Sequence, residues 1–162
     1  MLTAAQYEAI GRVALGLNDL EDVIGLGLSY ILGMHEEIVS QKLVDRERFL
    51  ARKIVLFREV LNALCTEYPN LEPEIKHMEQ VLKEVDDVAD RRNKIVHAKA
   101  SRHPVQKGYG WMSRNQWISA DAATIDSLAR EVTGFENTFA DAGTNLLSKL
   151  HDARAMRATS QR

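Results

Sequence analysis

Residues that can move protons and bind phosphate gather in the stretch Val85–His97, which reads VDDVADRRNKIVH. At 100° per residue, one helix face carries an apolar stripe with Arg92 in its middle: Met78, Leu82, Val85, Ala89 and Val96. A polar flank lies beside it at spacings of four, three and four: Asp86, Asp90, Asn93 and His97. Near pH 7 a neutral imidazole can take or give a proton, and a guanidinium can hold two phosphate oxygens. The stretch therefore predicts phosphoryl-transfer chemistry.

Ordinary structural roles also account for this pattern. An arginine among apolar residues can form a structural ion pair or extend its charge to the surface, and a histidine at a helix end can stabilise the dipole. Burying an unpaired guanidinium costs several kcal/mol, so Arg92 needs a partner. The apolar stripe of the first helix contains one carboxylate, Glu21. We therefore expect Glu21 to pair with Arg92 and Asp90 to orient His97.

The spelling Arg92-Asn93-x-x-x-His97 resembles the signature of the HEPN superfamily, in which an arginine, often followed by asparagine, precedes a histidine on a late bundle helix. The resemblance implies an all-α bundle and a metal-independent endoribonuclease, acting as a toxin or in phage defence. It also implies a homodimer with one composite site at the interface. His97 would be the general acid and base, Arg92 the phosphate stabiliser and Asn93 the orienting group.

One position departs from the family pattern, and one alternative function is left open. In HEPN toxins paired with a nucleotidyltransferase antitoxin, the residue two after the histidine is often a modified tyrosine, and here it is Lys99. An antitoxin partner is still expected, but regulation through that tyrosine is not. The alternative is a non-catalytic HEPN-like binding or scaffold module in which Arg92 is a structural ion pair.

Charge is unevenly distributed along the chain. The basic window, Arg91–Ala120, has seven Lys or Arg and no Asp or Glu, leaving 14 of the 21 basic residues against all 23 acidic residues elsewhere. Such a segment attracts anions, and interleaved aromatic rings suit stacking on unpaired bases. The predicted RNA-binding residues are Arg91, Lys94, Lys99, Arg102, Lys107 and Trp111. The alternative is a solvated loop whose rings pack against the bundle.

Length and composition suit one domain over residues 1–162, of which 153–162 are predicted to be a frayed tail. A single cysteine, Cys65, fits a reducing compartment, and no signal peptide or membrane-spanning stretch is recognised. These features predict a cytoplasmic protein without membrane contact. No metal-ligand spacing and no glycine-rich phosphate loop occurs, so neither a metal nor another cofactor is expected.

Hydrophobic periodicity predicts an all-α bundle of four to five helices. Long helices are expected from Thr3 to about Leu32, from about Arg46 to Glu67, from Glu72 to about Lys99 and from Ser119 to about Arg157, with a short one over Glu36–Lys42. Five glycines in the first helix indicate close helix contacts or a break near Gly25. Residues 101–119 are predicted to be an irregular loop or a short hairpin.

Overall fold

The computed structural model describes residues 3–33, 49–97, 99–102, 109–113, 116–118 and 121–160. Over these residues it is a helical bundle with a small antiparallel sheet, so the all-α class with at least four long helices is confirmed. The predicted helix over Glu36–Lys42 lies outside the described residues.

Helix α1 spans Ala4–Ile31 without a break at Gly25. It begins with a capping box, in which the Thr3 hydroxyl accepts a bond from the Gln6 N–H and the Gln6 side chain accepts one from the Thr3 N–H. Its buried residues recur at helical spacing along one face, from Ala9 to Ile31. Gly16 and Gly27 therefore lie at close helix contacts, and no kink occurs at Gly25.

Helix α2 spans Leu50–Glu67, and Tyr68 ends it before a 3₁₀ turn over Pro69–Leu71. Helix α3 then spans Glu72–Val96, with Pro73 and two acidic residues in its first turn, where both are favourable. The predicted extension of this helix to Lys99 is wrong, because His97 leaves the helical conformation and Lys99 begins a strand.

Three short strands follow α3: β1 (Lys99–Arg102), β2 (Tyr109–Ser113) and β3 (Gln116–Ile118). They form an antiparallel sheet in the order β1-β2-β3. In β2–β3, Trp111 is opposite Ile118 and Ser113 is opposite Gln116, which confirms the predicted hairpin. The sequence did not predict β1, which pairs Lys99 with Met112.

Helix α4 spans Ala122–Ser160. Residues 153–160 of the predicted frayed tail lie within α4, and two arginines connect this end of the helix to its neighbours. Arg154 donates to the carbonyl of Ile31, which satisfies the C-terminus of α1. Arg157 pairs with Glu67 at 2.5 Å and lies 5.8 Å from the centre of the Tyr68 ring.

The four helices share one hydrophobic core, to which each contributes one apolar face. In α3 the stripe is buried as far as Val88, and Ala89 is half-buried, as are all residues from Arg92 to Val96. The stripe predicted from the sequence is therefore confirmed up to the point where the motif begins. None of the described helices combines the length and apolarity needed to cross a membrane.

We predict opposite effects from alanine at two glycines of α1. At Gly27 a Cβ would lie 2.9 Å from Cε1 of Phe139, whose ring is already held edge-on against Phe57 at a centroid distance of 5.6 Å. Gly27→Ala should therefore lower the free energy of unfolding by about 1–3 kcal/mol. Gly11 has no neighbour within 4 Å of such a Cβ, so Gly11→Ala should raise it by up to about 1 kcal/mol. Urea unfolding measures both; a stable Gly27→Ala variant would contradict the close packing.

Candidate functional site

A cavity of about 370 Å³ opens between α1, the start of α2 and α3. We call it the Arg92 cavity. Phe49 and Leu50 contribute to its apolar wall, and six of its lining residues are polar: Asn18, Glu21, Asp86, Asp90, Arg92 and Asn93. Four of these six were singled out from the sequence as site residues, and the helices bring them to one place.

Arg92 is half-buried in the wall of this cavity. Its Nη1 donates to the Oδ1 of Asn93 at 2.9 Å, while its Nε is buried and has no hydrogen-bond partner. A buried donor left without a partner costs about 1–3 kcal/mol. Asn93 therefore holds Nη1 of the guanidinium, and no bond to a described residue is identified for the other donors of Arg92.

Each of the three carboxylates in the cavity wall is paired with another cation. Glu21 accepts from Lys53 at 3.0 Å, Asp86 lies 3.7 Å from Arg58, and Asp90 accepts from Lys94 at 2.8 Å.

The predicted ion pair between Glu21 and Arg92 is wrong, since Glu21 pairs across α1 and α2 instead. Within the described residues Arg92 has no carboxylate partner, although it shares a cavity with three acids. It is held by a neutral amide.

His97 lies outside the Arg92 cavity, exposed at the C-terminal end of α3. Its backbone N–H donates to the carbonyl of Asn93 at 3.0 Å. Asn93 is thus bonded to Arg92 through its side chain and to His97 through its backbone. The predicted orientation of His97 by Asp90 stays a prediction, and the partner identified for Asp90 is Lys94.

The predicted RNA-binding residues have different surroundings. Arg91 pairs with Glu131 of α4, and Lys94 pairs with Asp90. Three more lie in strands: Lys99 and Arg102 in β1, and Trp111 in β2. Lys107 is outside the described residues. The basic window contains no acidic residue in the sequence, but in the fold its first residue, Arg91, forms an ion pair with Glu131 of α4.

Sequence reasoning missed two contributors to the site. Lys53 of α2 is buried and forms an ion pair with Glu21. Its place directly before the core residue Ile54 does not indicate in the sequence which acid it pairs with. Phe49 lies next to Leu50 in the sequence, as a core residue of the second helix would, yet it is the N-cap of α2 and 73% exposed at the cavity. The sequence feature that could have indicated its role is that phenylalanine has no side-chain oxygen to cap the helix that begins there.

No group of three or more His, Cys, Asp and Glu side chains in the described part of the chain is arranged to hold a metal ion.

Comparisons with known proteins add no family assignment. No protein-family model matches the sequence, no curated protein matches it significantly, and no solved structure matches the fold significantly. The resemblance to HEPN proteins therefore rests on Arg92, Asn93 and His97 and on their place late in a bundle helix.

We predict that Glu21 is energetically coupled to Lys53 more strongly than to Arg92. The side chains of Glu21 and Lys53 are 25% and 11% exposed, so Glu21→Gln leaves an ammonium nearly buried without a counter-charge. This should cost about 3 kcal/mol of the free energy of unfolding, and Glu21→Gln with Lys53→Met should recover most of it. Double-mutant cycles by urea unfolding measure both couplings. A larger coupling to Arg92 would contradict the assigned pair.

Proposed function

We propose that this protein is a metal-independent endoribonuclease of the HEPN type, acting in the cytoplasm in a toxin–antitoxin or phage-defence role. The observation that carries the proposal is the state of Arg92. Its guanidinium lies in a cavity wall, bonded to Asn93, while each neighbouring acid has another cation as partner. A cation held in this way suits an anionic ligand, and RNA phosphate is the anion that His97 one turn later could process.

The chemistry requires only groups that this chain supplies. His97 takes the proton of a 2′-hydroxyl, whose oxygen attacks the adjacent phosphorus while Arg92 neutralises charge on the non-bridging oxygens. The bond from phosphorus to the 5′-oxygen breaks, and that oxygen receives a proton from His97 of a second copy. The products are a 2′,3′-cyclic phosphate and a 5′-hydroxyl. Asn93 keeps the guanidinium fork in one orientation through its 2.9 Å bond to Nη1.

The alternative is a HEPN-like scaffold module without catalysis. This alternative was predicted with Arg92 as a structural ion pair, and no ion pair of Arg92 is found among the described residues. In that case His97→Ala would leave both stability and cell toxicity unchanged. The nuclease proposal is preferred because it gives the open donors of Arg92 a ligand.

We predict RNA cleavage that survives EDTA. His97→Ala should lower the rate by roughly 10²- to 10⁴-fold, the usual worth of a positioned proton-transfer group. Arg92→Lys should also lose activity, because an ammonium cannot reproduce the bidentate fork. Matched controls are His77→Ala, an exposed histidine on the same helix, and Arg130→Lys, an exposed arginine on α4. DNA and RNA methylated at the 2′-oxygen should be inert; a requirement for added Mg²⁺ would falsify this mechanism.

We predict a homodimer in solution. Each chain supplies one acid–base group, His97, whereas the proposed cleavage uses two. A two-fold interface along the polar flank would bring the second His97 to the site. Light scattering at micromolar concentration should give twice 18.3 kDa. A strict monomer that cleaves RNA would rule out the composite site and leave a single-chain mechanism.

A further inference from the structure

Phe49 lies at a helix start, where its aromatic side chain makes no cap bond and is little buried. It is the N-cap of α2, a position that favours Ser, Thr, Asp or Asn because their oxygens bond the first free N–H groups. Its ring offers no such bond. It also gains little burial, since it is 73% exposed, the highest value among the large apolar side chains exposed in the described residues. Phe49 nevertheless lines the Arg92 cavity.

The cavity thus combines an exposed ring with an open guanidinium. Each of the three wall carboxylates has a cationic partner, Lys53, Arg58 or Lys94, and Arg92 is a further cation in the same wall. The start of α2 adds partial positive charge at the same wall, where Leu50 and Ala51 lie in its first turn. An apolar ring and a cation in one cavity suit a ligand with a flat hydrophobic part and an anionic part.

From this arrangement we infer that the Arg92 cavity takes one unpaired nucleotide of a single-stranded RNA. The base stacks on Phe49 and the phosphate beside it binds Arg92. The volume of about 370 Å³ is in the range of small-ligand cavities, roughly 300–1,000 Å³. Asn18, whose amide can both donate and accept, lines the same wall and is available to a base edge. The inference rests on the proposed function in taking RNA as the ligand, and it adds Phe49 as a binding residue.

This placement also makes the cavity selective for unpaired RNA. A base within a duplex is stacked on its neighbours and cannot present its face to Phe49, whereas a splayed base in a loop can. Double-stranded RNA of equal length should therefore bind more weakly than single strands at the same salt concentration.

The test uses the full chain and fluorescein-labelled ten-nucleotide RNAs, methylated at every 2′-oxygen so that they cannot be cleaved. Fluorescence anisotropy gives Kd for adenosine, uridine and cytidine oligomers and for a duplex. Phe49→Ala should raise Kd by roughly 5- to 150-fold, the worth of one base–aromatic stack. Phe49→Trp, which keeps a ring, should stay within about twofold of the wild type.

Two control variants separate stacking from general effects. Tyr30→Ala removes an aromatic side chain that is 61% exposed on α1 and does not line the cavity, and it should leave Kd unchanged. Arg92→Ala should weaken binding and lower the slope of log K against log salt by about 0.7, the value for one single-strand phosphate contact. Phe49→Ala should leave that slope unchanged, because a phenyl ring releases no counterion.

The outcomes distinguish this inference from the proposed function. If the wild type cleaves RNA but Phe49→Ala binds as tightly as wild type, the inference is overturned and the nuclease proposal stands. If Phe49→Ala weakens binding as expected but no preparation cleaves unmethylated RNA, the nucleotide site stands and the nuclease proposal falls. A wild-type chain that binds none of these oligomers overturns the inference, as does equal binding of single and double strands.

Discussion

The ion pair between Glu21 of α1 and Lys53 of α2 lies beside the core, with an oxygen–nitrogen distance of 3.0 Å. A charge in that position requires a partner, because an unpaired charge taken out of water costs several kcal/mol. The pairing occupies Glu21, one of three carboxylates that line the same cavity as Arg92. Among the described residues the partner identified for Arg92 is the neutral amide of Asn93.

Much of the fold follows from periodicity that the sequence displays directly. The apolar faces of α1 and α3 recur at helical spacing, so their existence and buried residues were predictable. The ends were harder. Helix α3 stops at Val96 because the chain turns into β1, whose pairing with β2 depends on residues 7 to 13 positions away. The last turns of α4 are held by Arg154 and Arg157 through contacts with α1 and α2, which no local pattern reveals.

The residues of the candidate site likewise include some that the sequence predicted and some that it did not. Arg92 and Asn93 were predictable because both lie on one helix at fixed spacing, and their contact is local. The partner of Glu21 was not, since it depends on how α1 and α2 pack and on the reach of a flexible lysine. Phe49 was not predicted as a site residue, because a ring next to Leu50 continues an apolar stripe in the sequence, whereas the helix begins one residue later.

The central claim is that the 2′-hydroxyl of RNA is the nucleophile and that His97 moves its proton. Mass spectrometry of the ends of RNA fragments made in EDTA tests this most directly. The wild-type chain should leave 2′,3′-cyclic phosphates and 5′-hydroxyls, and the yield with His97→Ala should fall by roughly 10²-fold or more. Fragments that carry 5′-phosphates and 3′-hydroxyls, or equal yields from the two chains, would contradict the account.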